Sequence, residues 1–198
     1  MKENEKEQVI PEIRSYSGIA TPKTNGRQIS GYAVVFGTQS QILYDAGSGR
    51  MFKEIIDTRA ITPELLKQSD VKALLEHSAE RLLARCKNGT GTLTLRIDTM
   101  GLFYCFEAPH TADGDFALEM IKRGDISGSS FAFKANDKDC TWTKPGEIWI
   151  RKVNKISVLY DVSIESDPAY TETSVTAERM RKLDDNWKVQ IEILRRKI

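Results

Sequence analysis

The chain has 198 residues, of which 40% are hydrophobic and 29% charged, and its net charge is +1. This length suits one domain that can bury a core without a metal or disulfides. The nearly neutral charge balance gives no reason to expect binding to nucleic acid or to an anionic membrane.

The cysteines and the first residues of the chain set limits on where the protein works. Cys86, Cys105 and Cys140 are an odd, scattered set, which indicates neither a disulfide framework nor a zinc site. Residues 1–7 are almost entirely charged or polar, unlike a signal peptide or a membrane anchor. We expect an intracellular protein in a reducing compartment, with no metal and no cofactor.

The first predicted elements follow a highly charged N-terminal segment. We assign residues 1–27 to a flexible N-terminal leader, with residues 1–12 disordered. The pattern predicts a strand over residues 28–36 and a loop over residues 37–51. Thr62 followed by Pro63 predicts a helix that begins there and ends near Ser69.

The middle of the chain combines strand patterns with one short helix. The apolar run 71–77 is compatible with a strand or a buried turn. Residues 89–107 predict a β-hairpin, and residues 113–124 an amphipathic helix with acids at its start and bases at its end. Further strands are predicted for residues 129–134, 148–153 and 156–164.

These elements together indicate the fold class. Strands that are not separated by regular helices argue against a doubly wound parallel sheet. We predict a mixed α/β, β-rich fold, an antiparallel β-barrel ringed by short helices, over residues 28–176. Residues 177–198 form a charged C-terminal helix or tail, which either packs on the body or binds a partner.

Histidine is scarce, which makes the two candidates for proton transfer easy to compare. His77 ends an apolar run at the border between core and surface, where a general base is expected. From the residues alone, a structural histidine is the favoured interpretation of His77. His110 lies in a loop after a strand, as a solvated histidine would.

A cluster of hydroxyls enters an apolar strand at Ser127–Phe133. Gly128, Ser130 and Ala132 form a relaxed G-x-S-x-G pattern with Ser130 as the candidate nucleophile. The amides near Gly128 and Ser129 are candidates to hold an oxyanion. A strand follows Ser130, so this is not the elbow of an α/β-hydrolase. From the pattern alone, a turn with capping serines is the default interpretation.

Asp161 is the candidate partner for an imidazole. It lies among apolar residues in the middle of a predicted strand, where a buried carboxylate needs a hydrogen-bonding partner. Glu165 follows nearer the strand end, where we expect solvent exposure. Asp125 and Asp167 are interpreted as turn residues.

In their order along the chain, these segments resemble the prohead proteases of tailed phages. The resemblance covers about residues 28–176. Phe52–Ile56 resembles the family's Phe-x-Glu segment, Val71–His77 the segment that ends in its catalytic His, and Arg85 a family Arg. Gly91–Leu93 and Asp98–Leu102 resemble its Gly-Thr-Leu strand and Asp-x-x-Gly-Leu turn. Gly124–Phe133 resembles the nucleophile strand, and Leu159–Ser163 and Asp167–Tyr170 resemble the Leu-x-Glu-Val-Ser and Pro-Ala-Tyr elements.

The resemblance implies a β-barrel shared with the herpesvirus assemblins and a serine endopeptidase activity. Ser130 would attack the scissile carbonyl, His77 would act as its base, and Asp161 would orient the imidazole. Arg85, Gly128 and Ser129 are candidates for oxyanion support. The implied substrates are the scaffolding segment of the major capsid protein and the protease itself, inside the assembling prohead in the host bacterial cytoplasm. Self-association is possible.

The chain departs from the family pattern at three positions. Ala84 and Ala132 stand where the family often has Gly, and Asp161 stands where Glu is usual. Because assemblins use a second histidine as the third member, His110 is an alternative to Asp161. A non-catalytic capsid-assembly or scaffolding protein with the same barrel is the alternative function. A third reading, a cysteine peptidase, would need a cysteine at a strand start near a histidine, and neither Cys105 nor Cys140 has such a setting.

Overall fold

The computed structural model describes residues 11–16, 20–45 and 47–166. Strands dominate this part of the chain, and two α-helices and the short 3-10 helix Asp137–Asp139 interrupt them. The elements are β1 Glu12–Tyr16, β2 Lys23–Asn25, β3 Gln28–Val35, β4 Leu43–Asp45, β5 Arg50–Ile56, α1 Pro63–Gln68, β6 Asp70–Leu75, β7 Ser78–Lys87, β8 Thr90–Gly91, β9 Leu93–Ile97, β10 Gly101–Glu107, α2 Ala112–Arg123, β11 Gly128–Lys134, β12 Cys140–Thr143, β13 Trp149–Val153 and β14 Val158–Glu165.

The strands form three sheets. The largest has six strands in the order β1-β11-β14-β6-β7-β8, and the two others have the orders β2-β3-β10-β9 and β12-β13-β5-β4. Strands β11 and β14 lie inside the six-stranded sheet and are buried almost throughout. Their apolar side chains join the main core with Tyr104, Leu102 and Ile29 from the second sheet.

Most predicted elements are confirmed, and their local causes are visible. Thr62 caps α1 by accepting a hydrogen bond from the Leu65 amide at 3.2 Å. Helix α2 is capped by Thr111 and ends at Gly124, whose φ of 84° lies in the left-handed region that glycine adopts easily. The strands expected at 28–36, 129–134, 148–153 and 156–164 are β3, β11, β13 and β14, and the hairpin is β9–β10.

The expectation of purely antiparallel sheets is wrong. Strand β14 runs parallel to β6, and β13 runs parallel to β5. Parallel neighbours need a long crossover, and in both pairs many other elements intervene along the chain. The described residues therefore form mixed, β-rich sheets, and closure into a barrel ringed by helices stays a prediction.

Part of the predicted leader belongs to the sheets. Residues 12–16 form β1, which pairs antiparallel with β11, and residues 23–25 form β2 beside β3. Strand β1 is short and polar, so its pattern gave no sign of the contacts that hold it. The predicted loop 37–51 also contains β4. The predicted C-terminal helix or tail at 177–198 lies outside the described residues.

No helix among the described residues has the length and apolar character needed to cross a membrane. Nor do they contain a group of three or more His, Cys, Asp or Glu side chains that could hold a metal ion.

Candidate active site

Ser130 lies in the middle of β11, between two other strands. It stands opposite Ser163 of β14 on one side and opposite Ser15 of β1 on the other. Its relative exposure is 0%, so its hydroxyl meets protein atoms on all sides. The pairing of β11 with two strands fixes the backbone of Ser130 independently of its side-chain contacts.

His77 lies in the turn between β6 and β7, which has a left-handed backbone. Glu76 and His77 have φ values of 55° and 53°, a left-handed conformation that costs L-residues about 1–2 kcal/mol each. The Glu76 amide donates to the Ile164 carbonyl at 3.0 Å, and the Ser166 amide donates to the Glu76 side chain at 2.8 Å. These bonds tie the turn to the end of β14 and offset its strain.

The imidazole of His77 bridges the serine and the aspartate. Its Nε2 lies 2.6 Å from the Ser130 hydroxyl oxygen, and its Nδ1 lies 2.7 Å from Oδ1 of Asp161. A carboxylate can only accept a hydrogen bond, which places the ring proton on Nδ1. Nε2 then carries a lone pair directed at Ser130, as a general base requires.

Asp161 is buried on β14 and has a second partner there. Its relative exposure is 8%, and its Oδ1 accepts a hydrogen bond from the Ser163 hydroxyl at 2.9 Å. Asp161 and Ser163 are two positions apart in a strand and so share one face. That face also carries Glu165, which is buried; our expectation that Glu165 is solvent-exposed is wrong, because β14 keeps its neighbours to its end.

Strand β1 touches the candidate nucleophile directly. The Ser130 hydroxyl is 2.9 Å from the carbonyl oxygen of Arg14, and the Ser15 hydroxyl donates to Ser130 at 3.3 Å. A hydroxyl has one proton, so Ser130 can donate either to Arg14 or to His77. For the proton to pass to His77, the bond to Arg14 has to be released.

A buried cluster of charges holds β1 in this position. Arg14 bonds the Glu54 carboxylate at two points, 2.8 Å and 3.1 Å, and Arg151 bonds the same carboxylate at 2.8 Å. Glu12 pairs with both arginines. Burial disfavours the charged form of Arg151, but the two carboxylates outweigh it and raise its pKa. The cluster links β1 to the sheet that contains β5 and β13.

The other predicted site residues take different positions. Ser129 points into the core, where its hydroxyl donates to the Ala20 carbonyl at 2.6 Å and lies 2.8 Å from the Tyr104 hydroxyl. Gly128 is the buried first residue of β11. Arg85 is exposed on β7 and pairs with Asp70. Their oxyanion roles stay predictions.

Two alternatives to this arrangement were a second catalytic histidine and a cysteine nucleophile. Their candidate residues lie outside the hydrogen-bonded path from Ser130 to Asp161. His110 is exposed in the loop between β10 and α2. Burial raises the pKa of Cys105. It also raises the pKa of Cys140, against the opposing effect of Arg151. A raised pKa keeps a thiol protonated and unreactive at neutral pH, which disfavours the cysteine-peptidase reading.

Sequence reasoning missed three contributors to the site. Ser163 could have been found from its strand, because it shares a face with Asp161. Arg14 acts through its main-chain carbonyl, and Ser15 through a contact distant in sequence. Neither leaves a recognisable sequence pattern.

Comparison with known proteins adds one match. A family model described as Caudovirus prohead serine protease matches residues 15–186. The searches of curated proteins and of solved structures each found no match. The matched range contains all three residues of the hydrogen-bonded chain.

Proposed function

The chain belongs to the caudovirus prohead serine protease family, and we propose that it is an endopeptidase with Ser130 as nucleophile, His77 as general base and Asp161 as the residue that orients the imidazole. The observation that carries this proposal is the continuous path from Ser130 through both ring nitrogens of His77 to Asp161. A capsid maturation protease of this family acts within the assembling phage capsid in the host.

The geometry supports acyl transfer in two steps. Ser130 Oγ attacks the carbonyl carbon of the scissile peptide while its proton moves to Nε2 of His77. The imidazolium then gives that proton to the leaving amine, and the C–N bond breaks to leave an acyl-enzyme. A water molecule, deprotonated by the same nitrogen, then attacks the ester carbon. The bond from that carbon to Ser130 Oγ breaks, His77 returns the proton to Oγ, and the acid leaves. Asp161 stabilises the imidazolium in both steps.

Asp161 is the better third member on geometric grounds. Its carboxylate is one methylene shorter than the Glu usual in the family, and it still reaches Nδ1 at 2.7 Å. The alternative, His110, is exposed in its loop. For the developing oxyanion we propose main-chain amides around Gly128 and Ser129. The Arg85 guanidinium already pairs with Asp70, which makes it the weaker candidate.

We further propose that the substrates are the scaffolding segment of the major capsid protein and the protease itself. The alternative is a capsid-assembly or scaffolding protein that keeps the same barrel without cutting. The path through His77 favours the protease, because a scaffold needs neither a base nor an aligned hydroxyl. Self-association remains compatible with both.

Co-expression with the major capsid protein of the same phage separates these functions. We expect a shortened capsid protein, with new termini identified by mass spectrometry, and an enzyme that loses a terminal segment of its own. Co-purification with a full-length capsid protein, with no new termini in either chain, would establish the scaffold instead.

A further inference from the structure

Ser163 is a buried hydroxyl that the steps above do not use. It contacts both members of the His77–Asp161 pair. We propose that Ser163 is a positioning residue that fixes the Asp161 carboxylate and the productive tautomer of His77. This inference rests on the proposed function of the same site.

The distances define what the hydroxyl can do. Ser163 Oγ is 2.9 Å from Oδ1 of Asp161 and 3.2 Å from Nδ1 of His77. A charged carboxylate is a stronger acceptor than a neutral ring nitrogen, so the single hydroxyl proton goes to Asp161. A lone pair of the same oxygen then faces Nδ1.

Nδ1 therefore faces two acceptors, and both favour a proton on it. In the opposite tautomer, with the proton on Nε2, a bare Nδ1 lone pair would face a carboxylate oxygen at 2.7 Å. Ser163 could relieve this only by turning its proton to Nδ1, which would leave Asp161 one hydrogen bond short. Ser163 thus raises the cost of the tautomer that cannot deprotonate Ser130.

Burial makes this contribution difficult to replace. The relative exposure of Ser163 is 2%, so water has little access to the space beside Asp161. Without the hydroxyl, Oδ1 of Asp161 would keep one donor, His77, in place of two, and a buried carboxylate that loses a donor is destabilised because water cannot replace it. Loss of the hydroxyl leaves the carboxylate free to turn and weakens its hold on the ring.

The backbone position of Ser163 is as well defined as that of the nucleophile. It stands opposite Ser130 in the β11–β14 ladder and opposite Leu74 in the β14–β6 ladder. A group held by two ladders keeps its geometry better than one on a loop. His77, which lies on a turn, gains most from such a fixed neighbour.

The inference can be tested with a fluorophosphonate, a small probe that needs no peptide substrate. Ser130 Oγ forms the O–P bond, fluoride leaves, and the proton passes to Nε2 of His77. We expect Ser163→Ala to lower the second-order rate constant of labelling about tenfold. Ser163→Cys, which preserves the volume but donates weakly, should behave in the same way and guards against an effect of packing.

Ser157→Ala is the matched control. Ser157 lies just before β14, and its hydroxyl donates to the Lys134 carbonyl at 2.9 Å. Like Ser163→Ala, Ser157→Ala removes one hydrogen bond donated by a serine hydroxyl, but that bond does not involve His77 or Asp161. We expect its labelling rate to stay within about twofold of the parent protein.

A double-mutant cycle with Asp161→Ala separates positioning from a merely structural role. If Ser163 acts mainly through the carboxylate, Ser163→Ala should cause a clearly smaller loss once Asp161 is gone than it does in the parent protein, because only its 3.2 Å contact with Nδ1 then remains. The same factor of loss in both backgrounds would overturn the proposal, and so would an unchanged rate in Ser163→Ala and Ser163→Cys.

Failure of this inference can be told apart from failure of the proposed function. If the parent protein takes no label at Ser130 and also leaves a co-expressed capsid protein at full length, the proposed nucleophile fails. If the parent is labelled at Ser130, Ser130→Ala is not, and the Ser163 variants react at the parental rate, then only the positioning role fails.

Discussion

The guanidinium of Arg14 and the carboxylate of Glu54 form a two-point ion pair, with Nε–Oε1 at 2.8 Å and Nη2–Oε2 at 3.1 Å. Through this pair β1, the strand beside Ser130, is anchored to a different sheet. The relative exposure of Glu54 is 2%, and its second partner, Arg151, is buried as well. The position of β1 beside Ser130 is therefore tied to a buried carboxylate that contacts none of the reacting side chains.

We expect Glu54→Ala to destabilise the protein by about 3 kcal/mol or more, because it removes the carboxylate shared by the buried Arg151 and the partly buried Arg14. Denaturant unfolding measures this change. Asp70→Ala is the control, since it breaks the exposed pair with Arg85 and should change the free energy of unfolding far less, because solvent screens an exposed ion pair. Equal losses in the two variants would show that the buried cluster does not anchor β1.

A second prediction concerns the packing behind the nucleophile strand. Gly31 of β3 faces Tyr104 and Ser129: a Cβ at this position would lie 2.7 Å from the Tyr104 hydroxyl oxygen and 3.1 Å from Ser129 Oγ. We expect Gly31→Ala to force these groups apart, to destabilise the fold by about 1–3 kcal/mol and to slow labelling of Ser130.

Thermal unfolding and fluorophosphonate labelling together check this second prediction. Gly26→Ala is not a useful comparison, because Gly26 has a φ of +60°. Gly146→Ala is the better control, since a Cβ there meets nothing within 4 Å and its φ is not positive. Parental stability in Gly31→Ala would contradict the close approach of β3 to β11.

A third prediction separates the candidates for the third catalytic member. Asp161→Asn replaces an acceptor with a group that can donate to Nδ1, which favours the unproductive tautomer. We expect the labelling rate at Ser130 to fall about 10³-fold or more. His110→Ala should leave the rate unchanged, because His110 is exposed and lies outside the hydrogen-bonded chain. The reverse ranking of the two variants would assign the role to His110.

The residues of the site differ in how far they could be predicted from sequence. Ser130 and His77 stood out because histidine is scarce and because family-like segments follow one another in order. Asp161 stood out because a carboxylate within an apolar strand needs a partner. These signals are local, or depend on order along the chain, so they survive without knowledge of the fold.

The missed features depend on contacts between distant segments. Strand β1 is polar and short, and it becomes a strand only because β11 and the Glu54 cluster hold it. The parallel pairing of β14 with β6 follows from the tertiary arrangement and has no local pattern. The left-handed turn at Glu76 and His77 contains no glycine, so its sequence resembled the end of a strand.

Ser130 is the residue that we propose cuts peptide bonds, with His77 as its base. The most direct test is intact-mass analysis of the major capsid protein co-expressed with the parent chain, with Ser130→Ala and with Ser129→Ala. We predict a shortened capsid protein with the parent and with Ser129→Ala, and only the full-length capsid protein with Ser130→Ala. Ser129→Ala removes a core hydrogen bond but leaves Ser130 and His77 in place. Shortening that persists with Ser130→Ala would contradict the account.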